Sequence, residues 1–190
     1  MRIIAGLGKG RNLFSPSGAT RPTSDRAREA LFSTLESEFG SLSDLAFLDL
    51  YCGSGAVGVE ALSRGAAIIY AVDNDEKATT VARANFALLE NLSGIGTHSV
   101  YTSSVGKFLE KGADIRFDVV FVDPPYDLPN SEIEKIMESM VRNGFLKKSS
   151  IVAIERDSKS KPLKWPSSLT ESKVRKYGAA TIFYAEPSAE

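Results

Sequence analysis

The chain has 190 residues, 43% of them hydrophobic and 25% charged, with 23 Lys and Arg against 24 Asp and Glu and a formal net charge of −1. That profile fits one globular domain with a good-sized core and excludes a disordered chain. No stretch nears the roughly 20 apolar residues of a membrane span, and the single cysteine, Cys52, excludes an intramolecular disulfide framework. The run Met1–Lys9 has no apolar stretch of signal-peptide length, so a soluble, cytoplasmic protein is the expectation.

The near-zero net charge hides a segregation. Residues 1–28 carry Arg2, Lys9, Arg11, Arg21, Arg26 and Arg28 against Asp25 alone. Residues 156–176 carry Arg156, Lys159, Lys161, Lys164, Lys173, Arg175 and Lys176 against Asp157 and Glu171. Two basic ends on an acidic body can form a polyanion-binding face, or can simply be solvated surface charge.

Arg2–Ala5 and Asn12–Phe14 read as a short hairpin about Gly6, Gly8 and Gly10. Pro16–Pro22 reads as a loop. Thr23, Ser24 and Asp25 supply cap residues for a helix that runs to about Glu38. From Ala46 the pattern becomes regular, with short apolar strands at Ala46–Leu50, Ala67–Val72, Gly96–Tyr101, Phe117–Val122 and Ile151–Glu155. Between them, helical spacing occurs over Ala56–Arg64, Asp75–Glu90, Val105–Lys111 and Ser131–Val141, the last capped by Ser131 and ended near Gly144. Glu171–Lys176 and Ala179–Ala185 read as a closing hairpin about Gly178, and Glu186–Glu190 as a frayed tail. Strands alternating with helices predict an α/β fold, a mostly parallel sheet covered on both faces with an antiparallel hairpin at one edge. The division expected is a hairpin-and-helix extension over 1–40 and a main domain over 41–186.

The first strand ends in Asp49-Leu50-Tyr51-Cys52-Gly53-Ser54-Gly55-Ala56-Val57-Gly58, and Asp73 follows Gly53 by 20 residues. This is the spacing of a nucleotide-binding G-x-G-x-x-G turn with an acid for ribose hydroxyls on the next strand. Two cofactors use that geometry, a nicotinamide dinucleotide and S-adenosylmethionine. A carboxylate at Asp49 would repel a pyrophosphate and attract the ammonium of a bound amino acid, which favours S-adenosylmethionine.

The fourth strand ends in Asp123-Pro124-Pro125-Tyr126. Two prolines fix φ and remove two N–H donors, leaving a stiff loop of acceptors beside an aromatic face. Such a loop suits an exocyclic amino group on a nucleic-acid base. Acceptors hold the N–H bonds, Tyr126 stacks on the base, and Asp123 stabilises the positive charge that develops on nitrogen. A proline-ended strand with an incidental acid is the plainer alternative.

Three segments, Arg21–Phe32, Asp49–Gly65 and Phe121–Tyr126, together with the opening Arg2–Gly6, resemble the bacterial 16S ribosomal RNA guanine-N2 methyltransferase family over nearly the whole chain. The resemblance implies a class I methyltransferase (Rossmann-like) sheet of about seven strands. It implies S-adenosylmethionine as cofactor, and as substrate one guanine in a small-subunit RNA loop near the P site, met within the subunit or an assembly intermediate. Asp49, Tyr51, Gly53 and Gly55 would face the methionine part, and Asp73 and Asn74 the ribose. Asp123, Pro124, Pro125 and Tyr126 would form the catalytic loop. Arg21, Arg26 and Arg28 would lie over the cofactor or against RNA; Lys9 and Arg11, from the basic amino-terminal end, are also expected to meet RNA. Many such enzymes have Asp or Asn after the third strand for the adenine; Ser104, followed by Val105, stands there instead. A DNA amino-methyltransferase is disfavoured, because the chain has no room for a target-recognition domain. A non-catalytic RNA-binding assembly factor and a nicotinamide oxidoreductase remain alternatives.

The other chemistry-bearing residues point elsewhere. His98 is the only histidine, so no Cys/His zinc cluster is expected. Cys52 is expected to pack rather than react, and Trp165 to anchor a loop. A monomer is expected.

Overall fold

The computed structural model describes residues 1–15 and 25–188. The expected Pro16–Pro22 loop, the caps Thr23 and Ser24, and Arg21 lie outside the described residues.

Short apolar runs become strands because the backbone must be paired wherever both faces are buried. Strand β1 (Ala46–Leu50) and strand β4 (Phe117–Val122) are buried at every position. With β2 (Ile68–Asp73), β3 (Thr97–Thr102), β5 (Leu146–Asp157), β6 (Leu169–Tyr177) and β7 (Ala180–Pro187) they form one seven-stranded sheet in the order β3-β2-β1-β4-β5-β7-β6. Strands β1 to β5 run parallel, whereas β7 is antiparallel to β5 and to β6.

Side chains alternate across the sheet, so two cores form. One face buries Phe47, Ile69, Val119, Phe121, Ala153 and Ile182. It lies under α1 (Asp25–Phe39), α2 (Ala56–Ser63) and α3 (Glu76–Ala87), through Phe32, Val59 and Phe86. The other buries Leu48, Val120, Val122, Val152 and Ile154 under α4 (Val105–Glu110) and α5 (Asn130–Arg142), through Phe108 and Met137. Ile3 and Leu13 join the first core, which places the amino-terminal segment over α2.

Four elements differ from expectation. The amino-terminal hairpin is present but short, with one bridge, Arg2 with Asn12, and backbone bonds from Ile3 N to Arg11 O, Gly10 N to Ile3 O and Leu13 N to Met1 O. Ile4 and Ala5 donate their N–H groups to the Glu60 carboxylate, at 2.8 and 3.0 Å, and not to a partner strand. Strand β5 starts five residues early, at Leu146. Its polar first half follows a register shift against β4, where Ser150 Oγ donates to Phe117 O at 2.8 Å and Lys147 pairs with Asp118 at 2.7 Å. Helix α5 is entered through Pro129 and not capped by Ser131. Asn130 instead donates its amide to the carbonyls of Lys161 and Pro162. Finally, Glu186 and Pro187, expected in a frayed tail, pair with Thr170 and Leu169. Among the described residues, no helix is long and apolar enough to cross a membrane.

Candidate active site at the carboxyl edge of the sheet

Ligands of open α/β sheets bind where the strand order reverses, at the carboxyl ends of the strands. Here that point lies between β1 and β4. Asp123 donates its N–H to Leu50 O at 3.2 Å, Cys52 to Val72 O at 3.0 Å, and Ser103 to Asp73 O at 2.8 Å. The ends of β3, β2, β1 and β4 are thereby tied in a row that presents Ser104, Asp73, Tyr51 and Asp123.

The glycine loop is built on left-handed backbone. Gly53 has φ 53°, and Gly55, at φ 73°, opens α2. Tyr51 shares that conformation at φ 61°, which costs a side-chain-bearing residue roughly 1–2 kcal/mol. Such strain concentrates at binding sites. Asp73 holds the loop with one oxygen on Gly53 N, 2.8 Å, and the other on Asp75 N, 3.0 Å. Asn74 beside it is exposed.

Asp49 is buried and accepts from Gly58 N at 2.9 Å. A side chain at Gly58 would crowd the site: an added Cβ would lie 2.9 Å from Phe86 Cζ and 3.2 Å from Asp49 Oδ2, so a neighbour would have to shift. Burial pushes the Asp49 carboxyl up to about 8; the Gly58 N–H opposes this, and the charges of Asp123 and Asp73 add to it. Burial and the charges of Asp49 and Asp73 likewise push up the Cys52 thiol, so Cys52 is a packing residue and no nucleophile.

Past β4, Pro124 is buried, Pro125 is exposed, and Tyr126 is 44% exposed. The loop is held from below by Arg156, at the end of β5. Its guanidinium donates to Pro125 O at 3.2 Å, Leu128 O at 2.7 Å and Asn130 Oδ1 at 3.4 Å. Leu128 N also donates to Pro125 O, at 2.9 Å.

Ser104 caps α4 by accepting from Lys107 N at 3.4 Å, which leaves its hydroxyl proton to donate. Val105 follows it, buried. Trp165 is half-buried, with Nε1 donating to Glu171 at 2.9 Å, which is the loop-anchor role expected of it. His98 stacks on Phe86 with centroids 4.6 Å apart.

The basic residues divide. Lys9, Arg11 and Arg26 are exposed, and Arg11 donates to Leu88 O. Arg28, expected to meet RNA, is buried: it donates to Arg2 O at 2.6 Å, pairs with Asp25 at 3.0 Å, and lies 3.8 Å from Glu60. Its Nη2 is held by Arg2 O and Asp25 inside the protein, with Glu60 nearby, while Nε and Nη1 have no hydrogen-bond partner among the described residues. Arg156 leaves the basic surface for the same kind of reason.

Two site-building residues give no local signal in the sequence. Asn85 on α3 is fully buried. Its amide donates to Ser54 O at 2.9 Å and Phe14 O at 3.0 Å, while its oxygen accepts from Phe14 N at 2.8 Å. It therefore clamps the glycine loop to the amino-terminal segment. Arg156 is the other, and its partners lie 26 to 31 residues away.

The edge that results carries Asp49, Asp73 and Asp123 around the glycine turn. A cation fits it, and a pyrophosphate would face Asp49, Asp73 and Asp123. With the strand order and the antiparallel β7 beside β5, these features define the class I S-adenosylmethionine-dependent methyltransferase fold. The chain belongs to the family described as conserved hypothetical protein 95, whose model matches residues 1–186. Within it the chain is similar to ribosomal RNA small subunit methyltransferase D of Escherichia coli K12, 33% identical over 196 residues that cover 100% of this chain and 92% of that protein. The protein of the same name from Haemophilus influenzae is 32% identical over 179 residues, covering 94% and 89%. A solved Escherichia coli structure described as a candidate methyltransferase superposes with a TM-score of 0.85 at 29% identity, covering 100% of this chain and 99% of that one.

Proposed function

We propose that this chain methylates the exocyclic N2 amino group of a guanine in 16S ribosomal RNA, within the small subunit or an assembly intermediate, as a cytoplasmic monomer. The observation that carries the reading is the row of Asp49, Asp73 and Asp123 at the strand ends, joined to an acceptor-only loop that ends in an exposed Tyr126. S-adenosylmethionine, when bound, supplies the electrophilic methyl group and carries positive charge. Asp49 and the Gly53–Gly55 turn would hold its methionine end, with Tyr51 beside them. Asp73 and Asn74 would hold the ribose, and Ser104 and Val105 the adenine. Gly53 meets nothing within 4 Å where a Cβ would stand, so a ligand can approach the backbone there.

The catalytic loop acts on the base. Asp123 accepts one N–H of the target amino group, and the carbonyl of Asp123 or Pro124 accepts the other. This favours a pyramidal nitrogen with its lone pair directed at the methyl. Tyr126 stacks on the extruded guanine. Arg156 keeps the loop from drifting, because Pro125 O and Leu128 O are already committed to it. Lys9, Arg11, Arg21 and Arg26 meet RNA phosphate. Residues 1–40 form the extension and residues 41–186 the methyltransferase domain.

The test uses small subunits from a strain lacking this protein, incubated with purified protein and cofactor labelled in the methyl group. The expected product, after nuclease digestion and mass spectrometry, is labelled N2-methylguanosine at one 16S site. Label on another base or on protein alone would sink the assignment. Cofactor binding without transfer to any subunit preparation would favour the assembly-factor alternative.

Asp49 gives a pH-dependent prediction. In the free protein its carboxyl, raised to about 8, holds its proton at neutral pH. For folding, a raised acid contributes stability that is whole below the unfolded value near 4 and is lost as pH rises through 8. For a cationic ligand the sign reverses, because the ammonium favours the ionised form. Cofactor affinity is expected to rise roughly tenfold per pH unit between pH 6 and 8 and then level, with close to one proton released per ligand bound at pH 7. Calorimetry in two buffers of different ionisation enthalpy measures that proton. Asp49→Asn is expected to remove the buffer dependence, and a wild type with none would take Asp49 out of the ammonium role.

A further inference from the structure

Glu155 has no part in the proposed chemistry, yet it occupies a costly position. It is 3% exposed, and its Oε2 has no hydrogen-bond partner among the described residues. A buried carboxylate oxygen without a partner is costly when the group is charged.

The sheet register places it. Val119 pairs with Ile151 and Phe121 with Ala153, and all four belong to the core under α1, α2 and α3. Val122 pairs with Ile154, and both belong to the opposite core. One residue past the end of β4 and one further along β5, alternation directs Asp123 and Glu155 to the first face, where the charge of Asp123 acts on Glu155. Glu155 lies opposite Ile182 on β7, so that neighbour offers no charge. Arg156, the next residue, is directed to the other face, where it holds Leu128 and Asn130. Asp123 is thus the charged group that acts on Glu155 among the described residues.

Two carboxyls packed together in low dielectric do not both ionise. Asp123 is half-buried at the mouth of the site, and Glu155 lies deeper. We propose that Glu155 is a positioning residue for methyl transfer: it keeps its proton beside Asp123, so that the one negative charge of the pair rests on the carboxylate that faces the base. Burial first, and the Asp123 charge second, push the Glu155 carboxyl well above the usual carboxylate range, which agrees with that assignment. Glu155 exchanges no proton with substrate. The bond that forms is nitrogen to carbon, the bond that breaks is carbon to sulfur, and the proton shed by the amino nitrogen leaves by way of Asp123. When alkaline pH ionises Glu155, two like charges stand at the end of the sheet, and Asp123 is driven off the amino group.

The inference rests on the amino-methylation reading, so its test has one arm free of activity. Carboxyl carbon NMR of protein labelled at glutamate, with Glu155 assigned through Glu155→Gln, is expected to show this group titrating above neutral pH in the cofactor-free protein. Asp123→Asn should move that midpoint down. A midpoint in the ordinary glutamate range, or one indifferent to Asp123→Asn, overturns the proposal. The second arm is the single-turnover rate against pH. Wild type should lose rate roughly tenfold per unit on the alkaline side, while Glu155→Gln, which mimics the protonated acid, keeps most of the neutral rate and lacks that limb. Superimposable profiles, or a folded, cofactor-binding Glu155→Gln enzyme without activity, also overturn it. A wild type that methylates no subunit is instead a failure of the proposed function, and the NMR arm still decides the state of Glu155.

Discussion

Replacing Asp123 with alanine is expected to slow single-turnover methylation of small subunits by about 10²–10³-fold, the scale for removing one preorganised electrostatic contact to a developing charge. The backbone should hold, because the Asp123 N–H still donates to Leu50 O and the loop beyond stays fastened by Arg156. Cofactor affinity should fall little and can rise, since removing the Asp123 charge eases ionisation of Asp49 beneath it. That split separates a role on the base from a role on the cofactor. Asp123→Asn keeps an acceptor oxygen but not the charge, so its rate should lie between those of alanine and wild type. Rates come from rapid-quench assays with saturating cofactor, and affinity from separate calorimetry. A fully active Asp123→Ala enzyme would remove the amino-group mechanism, whatever the likeness to ribosomal RNA methyltransferases.

The fold was legible wherever a signal was local. The runs Ala46–Leu50 and Phe117–Val122 are apolar at nearly every position and became strands with those bounds. The glycine turn fixed the Gly53–Asp73 relation before any coordinate, since 20 residues of turn, helix and strand return the chain to the neighbouring position. What stayed hidden was set by partners far off in sequence. Arg28 looks like surface charge beside Arg26, and its burial depends on Glu60, in another helix. Asn85 reads as an ordinary polar helix residue, yet its partner Phe14 lies 71 residues away. The polar start of β5 gave no strand pattern because its ladder is irregular there and side chains complete the pairing. Ser131 had the right chemistry for a cap, but the cap position falls two residues earlier, at Pro129, where φ is already preset.

The charged cluster that hid Arg28 leads to the largest expected effect on stability. Glu60 has a fully buried side chain and receives Ile4 N, Ala5 N and Arg64 Nε at 2.8–3.0 Å, with Arg28 Nε at 3.8 Å. Glu60→Ala leaves the Ile4 and Ala5 N–H groups and Arg64 Nε without their acceptor and takes an ionic partner from the buried Arg28 guanidinium, and removing one partner of a buried charge pair typically costs about 3–5 kcal/mol. Urea unfolding should show that loss as a lower midpoint. Glu60→Gln keeps one acceptor oxygen and should lose less, while Arg28→Met combined with Glu60→Met should lose less than the two single changes added together, because the unpaired charge is gone. The effect should also reach the site. The segment that Glu60 holds at Ile4 and Ala5 continues to Phe14, which Asn85 ties to the carbonyl of Ser54 in the glycine loop. A released strap frees Asn85 and loosens the Ser54 turn, so weaker cofactor binding should accompany the lower midpoint in Glu60→Ala. A midpoint shift worth less than about 0.5 kcal/mol, the ordinary range for surface substitutions, would show that the amino-terminal segment is held elsewhere.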